Sequence, residues 1–168
     1  MPSRSDLLFD VAMSVKYHRR RATFLERVSA LMSAAILFGG AGAFASLFGD
    51  QTVVARILTA FIAFVGIIQI VFQTDRCAAE HRGWLRRWIN LLKGIEADAN
   101  ANPAQLAQWN TEKLDIESEC VGEMRALQED CYNRTMLAHN RQGVPTRLRW
   151  WHRAFMQLYS FENSFQGS

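Results

Sequence analysis

Apolar positions are gathered into two long runs. From Val28 to Phe48 the sequence VSALMSAAILFGGAGAFASLF carries no charge for 21 residues, and Ile57 to Thr74 adds 18 more. At 1.5 Å per residue, the first run covers about the 30 Å hydrocarbon thickness of a bilayer. The pattern predicts two membrane-crossing helices, 28–48 and 52–74, with Gly49, Asp50 and Gln51 as a short turn between them. Arg56 falls about one turn inside the second helix, where a long side chain can snorkel to the headgroups. Arg19, Arg20 and Arg21 ahead of an apolar run, with Ala43, Phe44 and Ala45 behind, also imitate a cleaved secretory signal. The long helical stretch before the run and the second run directly after it favour a retained span.

The polar flanks are helical in pattern. Leu8, Val11, Val15, Ala22 and Leu25 recur at helical spacing and run into the first span with no proline or glycine between them. After the second span, TDRCAAEHRGWLRRWINLLKGIEA holds only isolated glycines, which predicts a helix continuous with that span. Its Trp84, Trp88, Leu91, Leu92 and Ile95 share a face opposite Arg82, Arg86, Asn90 and Lys93, forming a basic amphipathic helix suited to a bundle or to anionic headgroups. DANANP, at Asp98 to Pro103, predicts a reversal. Beyond it Leu106, Trp109, Ile116, Cys120, Met124, Leu127, Cys131, Thr135 and Ala138 alternate three- and four-residue steps, predicting one seam-bearing helix to about Asn140, interrupted by Lys113. Gly143 and Pro145 then end it. A short last helix places Leu148, Trp151, Phe155 and Leu158 on one face, with Trp150 outside that stripe. This segment, with Trp150, Trp151 and Phe155, reads as an interfacial anchor or as a cap on the bundle or a neighbouring subunit.

The expected architecture is therefore all-α: a cytoplasmic N-terminal helix (1–27), a two-helix transmembrane hairpin (28–74), and a cytoplasmic helical domain (75–168) forming a bundle with the extended helices. Arg4, Lys16, Arg19, Arg20, Arg21 and Arg27 precede the first span. Arg76, Arg82, Arg86, Arg87 and Lys93 follow the second. Only Arg56 lies near the other side, so both termini are expected in the cytoplasm of a bacterial inner membrane. The overall charge of +3 hides a segmented distribution: +3 for residues 1–27, +3 for 75–95, −7 for 96–130 and +4 for 131–168. Acidic and basic segments can pair within a bundle or across subunits. Topology and lipid already account for the basic residues, so nucleic acid is not an expected partner.

Chemistry is sparse. His18, His81, His139 and His152 are scattered in sequence, no serine or cysteine sits in a nucleophile motif, and no glycine-rich phosphate loop exists outside a span. No enzymatic activity and no cofactor is expected. Cys77, Cys120 and Cys131 are expected to be reduced and mostly buried, and Cys77 with His81 is one pair where structural zinc needs four ligands, so no metal is expected. Within the spans, Gly39 and Gly42 lie on small-residue repeats that permit close helix packing. Thr59, Gly66, Gln69 and Gln73 lie along one stripe of the second span. The amide of Gln69, in or near hydrocarbon, needs a partner: a neighbouring helix, or water in an oligomeric pore.

Taken together, KYHRRRATF (Lys16 to Phe24), two close spans, a basic tryptophan-bearing helix, a long acidic helix and HNRQGVPTRLRWWHRAF (His139 to Phe155) resemble the SLATT group of two-transmembrane proteins. That resemblance covers most of the chain and implies an effector of bacterial nucleotide-sensing conflict systems, which oligomerises and permeabilises the membrane in anti-phage defence. These 168 residues are not expected to include a sensor, so the resemblance implies a separate sensor or nucleotide-signalling partner. Tyr17, His18, Arg21, Trp84 and Trp88 sit where cytoplasmic signals would be coupled to the spans. Leu106, Trp109, Ile116, Met124 and Leu127 are the expected bundle or oligomer seam. The competing expectation is a non-conducting membrane scaffold or superinfection-exclusion protein acting through a protein partner.

Overall fold

The computed structural model describes residues 2–46, 52–120, 124–141, 145–159 and 161. Those residues form six helices and no strand: α1 (Arg4–Ser46), α2 (Thr52–Phe72), α3 (Thr74–Ala97), α4 (Pro103–Glu119), α5 (Arg125–Ala138) and α6 (Trp150–Phe155). Two compact units share the long helices. One comprises Met1–Arg21 with His81–Ser168, and the other Ala22–Glu80.

In the unit Ala22–Glu80, the second half of α1 packs antiparallel to α2. The register is set by Ser33 against Gln69, Gly39 against Ile62 and Gly42 against Leu58. At Gly39 the helices approach closely, since a Cβ there would lie 2.8 Å from Ile62 Cγ1. Both helices are long and apolar enough to cross a membrane, yet only 6% of each apolar window is buried. Leu37, Phe38 and Ile70 are between 71% and 76% exposed. The expected turn at Gly49, Asp50 and Gln51 lies outside the described residues.

The helix expected to continue unbroken from the second span is interrupted. Gln73 has φ of 43°, in the left-handed region, and separates α2 from α3. The hydrogen-bond ladder survives the interruption. Gln73 N–H still donates to the Gln69 carbonyl, and Cys77 N–H donates to the Gln73 carbonyl, both at 3.0 Å. The distortion is thereby confined to one residue, at a conformational cost of about 1–2 kcal/mol.

The other unit has a core of Leu7, Val11 and Val15 from α1, Trp88, Leu91 and Ile95 from α3, and Trp109 and Ile116 from α4. Leu7, rather than the expected Leu8, is the fully buried member, with Leu8 packed beside it. Arg4 ties the start of α1 to the end of α3, donating to the carbonyls of Ile95 at 2.7 Å and Asp98 at 2.9 Å, which lack helical partners. The reversal after α3 falls where DANANP placed it. Asn102 caps α4 by accepting the Gln105 N–H at 2.8 Å, and Pro103 takes the first helical position.

The single helix expected from Pro103 to Asn140 is two helices. Backbone at Cys120 (ψ 113°) and Met124 (ψ 95°) is extended, ending α4 and preceding α5. The seam divides accordingly. Leu106, Trp109 and Ile116 belong to the first core, whereas Leu127 and Cys131 form a second with Tyr17, against which Met124 and Met156 pack. A hydrogen bond compensates the break: Met124 N–H, left without a helical acceptor, donates to the Tyr17 hydroxyl at 2.9 Å. Ala138, expected on the seam, is exposed, and Met136 is buried in its neighbourhood instead. Gly143 lies outside the described residues.

Ion pairs join segments distant in sequence. Arg87 pairs with Glu119, Arg20 with Asp130, Lys113 with Asp10 at 2.5 Å, and Arg141 with Asp6 at 2.6 Å. Lys113 thus interrupts the apolar seam without leaving its charge unmatched.

Candidate functional site

Helical spacing on α3 puts His81, Trp84 and Trp88 on one face, at i, i+3 and i+7. Consecutive Tyr17 and His18 on α1 meet that face. The two imidazoles approach through Nδ1 atoms 3.0 Å apart, and His18 Nε2 lies 3.7 Å from Cys120 Sγ at the end of α4. Aromatic rings enclose the pair. His18 sits 5.2 Å from Tyr17, 5.7 Å from Trp84 and 6.4 Å from Trp88, the last nearly parallel. His81 meets Trp84 edge-on at 5.2 Å. Beside them is a cavity of about 60 Å³, lined by all of these residues and by the carboxylate-bearing Glu117. It has room for a few water molecules or a small group.

An Nδ1 to Nδ1 contact requires one ring to donate and the other to accept, so the two rings cannot both be protonated at Nδ1. Burial pushes the pKa of His18 down to about 4, and the neighbouring His81 adds to the shift. Trp88, 1% exposed, has an indole N–H with no hydrogen-bond partner among the described residues, so a free donor stands in this cluster.

The two nitrogens of His18 face different neighbours, His81 and Cys120, and one ion cannot occupy both sides of a ring. No group of three or more metal-binding side chains occurs among the described residues. His81 turns to His18 rather than joining Cys77, whose Sγ lies 3.8 Å from the Phe72 carbonyl. None of the three cysteines forms a disulfide among the described residues. Only Cys131 is fully buried, and burial raises its thiol pKa.

Of the five residues expected to couple signal to spans, Tyr17, His18, Trp84 and Trp88 converge and Arg21 does not. Arg21 donates to the backbone carbonyl of Gln157, beyond α6. His81 and Cys120 complete the cluster and were not among the expected coupling residues. The recurrence of His81 with Trp84 and Trp88 at helical spacing was the signal for the first; nothing local in sequence marks Cys120. Next to this cluster, Asp130 is 5% exposed and is held by Arg20 and by Arg134 Nε at 2.7 Å. Burial opposes its ionisation, but the two guanidiniums outweigh burial and keep its pKa below the usual carboxylate range.

Within Ala22–Glu80, the Gln69 amide Nε2 donates to Ser33 Oγ at 3.2 Å. Thr59 Oγ1 donates to the Ala55 carbonyl of its own helix at 2.8 Å. Gln73 is exposed and 3.4 Å from an Arg76 guanidinium nitrogen, after the break in the stripe. Gly39 and Gly42 face Ile62 and Leu58, whereas a Cβ at Gly66 would meet nothing within 4 Å.

At the C-terminal end, Trp150 is 75% exposed and Phe155 is about half exposed, while Trp151 is half-buried under the Arg149 guanidinium, 4.5 Å from the ring centroid. The fold and site define an all-helical protein with two helices long and apolar enough to cross a membrane and a half-buried histidine pair among aromatic rings. The chain matches no protein-family model, no curated protein and no solved structure.

Proposed function

We propose that this chain is an integral membrane protein of the bacterial inner membrane, with α1 and α2 as a transmembrane hairpin, both termini cytoplasmic, and the remaining helices as a cytoplasmic bundle. Its function in this reading is that of an anti-phage effector: several copies assemble, and a cytoplasmic signal from a separate sensor or nucleotide-signalling partner shifts them to a state that perturbs or permeabilises the bilayer. One observation carries the membrane half, the 6% burial of apolar windows in two adjacent helices. A water-soluble fold would have to cover such surface. Lysine and arginine placement supports the orientation, and the resemblance to the SLATT group supports the effector role. Signal transfer is a population shift between assemblies, with α1 as an unbroken helix from Arg4 to Ser46.

A second reading, a non-conducting scaffold or superinfection-exclusion protein, is favoured by the Gln69 to Ser33 hydrogen bond, which gives the Gln69 amide a partner inside a single chain. Reconstitution separates the two. The effector reading expects a multimeric particle by mass measurement in nanodiscs and dye or ion leakage from liposomes once activated. A single chain per particle eliminates the pore, and a defined oligomer that stays tight in the presence of its signalling partner favours the scaffold.

A further inference from the structure

The segment from Pro145 to Phe161 is fixed on one side and apolar on the other. Its inner side is held by specific bonds. Asn133 and Thr146 exchange two hydrogen bonds, at 2.8 and 2.9 Å, and the Thr146 hydroxyl donates to Glu129 at 2.7 Å. His152, 7% exposed, accepts the Arg149 N–H at 3.4 Å, and Arg21 grips the Gln157 carbonyl. With that side committed, the outer side presents Trp150, Phe155, Leu158 and Tyr159, three of them at 65% exposure or more. Arg147, Arg149 and Arg153 are exposed around them, and no acidic residue occurs from 145 to 161.

We infer that this segment is a lipid-docking surface: its exposed aromatic and aliphatic side chains enter the headgroup region, and its arginines bind anionic headgroups. Tryptophan and tyrosine are the side chains whose amphipathic rings suit the membrane-water boundary, and each basic residue near an anionic surface adds about 1 kcal/mol of attraction. A protein interface would use the same aromatics, but the three exposed arginines with no acidic residue from 145 to 161 suit a surface of negative charge. The inference rests on the membrane reading above and extends it to the C-terminal segment.

The test uses the full chain in nanodiscs of phosphatidylcholine alone, or mixed with phosphatidylglycerol brominated on its acyl chains. Subtracting the emission of the Trp150→Phe variant from that of the parent isolates Trp150, a largely exposed position where the exchange leaves packing intact. The expected result is loss of most Trp150 emission to bromine in the anionic discs, and recovery of that emission in the Arg147→Glu/Arg153→Glu variant. Quenching that survives charge reversal overturns the anionic-headgroup assignment. Emission that remains water-like and is quenched by aqueous iodide, from chains that co-elute with discs, overturns the inference and leaves the membrane reading standing. A blue-shifted Trp150 untouched by bromine overturns it in favour of a protein partner, including a second copy. Chains that elute free of discs overturn both readings.

Discussion

The imidazoles of His18 and His81 face each other through Nδ1 atoms 3.0 Å apart, a contact that holds at most one donor proton between them. Doubly protonated, the pair would present two donors to one another inside an aromatic enclosure. The His18 pKa, depressed to about 4 in the folded state from 6.5, makes stability pH-dependent. Between those values the unfolded chain binds the proton more readily, so stability is fully present above pH 6.5 and is lost as pH falls toward 4. The loss from this group is on the order of 3 kcal/mol, from 1.36 kcal/mol per pH unit. Denaturation midpoints of the solubilised protein across this range should show the slope, and His18→Gln should flatten it.

Tyr17 is the hydroxyl that accepts Met124 N–H at 2.9 Å where α4 and α5 separate. Tyr17→Phe keeps the ring in the second core but leaves that amide without its acceptor, at a cost of about 1–2 kcal/mol. Amide exchange should accelerate at Met124 and the first turn of α5 while the Trp88 region keeps its protection. Equal acceleration everywhere would show that the bond is not local in effect.

How far the sequence disclosed this arrangement depended on whether the deciding contact was local. Both apolar helices, the DANANP reversal and the α6 turn follow from runs and turn residues that act within a few positions. The break at Cys120 escaped because a three-four apolar repeat continues through it, and what stabilises the break is Tyr17, which is more than 100 residues away. Gln73 escaped similarly, since nothing in its neighbours demands a positive φ. The histidine pair joins positions 63 residues apart, so scattered histidines in sequence became adjacent ones only through packing of α1 on α3.

Gly39 and Gly40 provide a matched comparison. A Cβ at Gly39 would lie 2.8 Å from Ile62 Cγ1, whereas at Gly40 it would meet nothing within 4 Å. Gly39→Val should therefore force α1 and α2 apart and cost about 1–3 kcal/mol. Gly40→Val should leave the pairing of these helices unchanged. Cross-linking efficiency between cysteines introduced at Ser33 and Gln69 reports the separation, and Ile62→Ala should partly restore it in the Gly39 variant.

Asp130 concentrates the charge balance of its neighbourhood, since Arg20 and Arg134 both end on one carboxylate oxygen. Asp130→Asn keeps the shape but leaves two guanidiniums facing a neutral amide, one of them part-buried. Removing one partner of a buried charged network costs about 3–5 kcal/mol, so the variant should unfold at markedly lower denaturant or fail to accumulate. Arg134→Met, at the more exposed end, should cost much less. Because the folded carboxyl has a lowered pKa, its contribution is present above pH 3.8 and is lost as pH falls further.

Gln69 donates to Ser33 across the pair of apolar helices at 3.2 Å, and this single bond decides between two uses of a polar side chain in a greasy segment. If its role is to hold the helices together, Gln69→Leu and Ser33→Ala each remove the same interaction, and a double-mutant cycle should return a coupling of about 0.6 kcal/mol, the usual size for such bonds in membranes. Ion flux through reconstituted protein should then be unaltered by either change. If instead the amide leaves Ser33 to line water in an assembled pore, coupling in the closed protein remains, but Gln69→Leu should dry the path and reduce flux in the activated state while Ser33→Ala, by freeing the amide, should raise it. Opposite changes in flux for the two variants are the signature of a pore-lining role, because a packing role leaves flux unaltered by both.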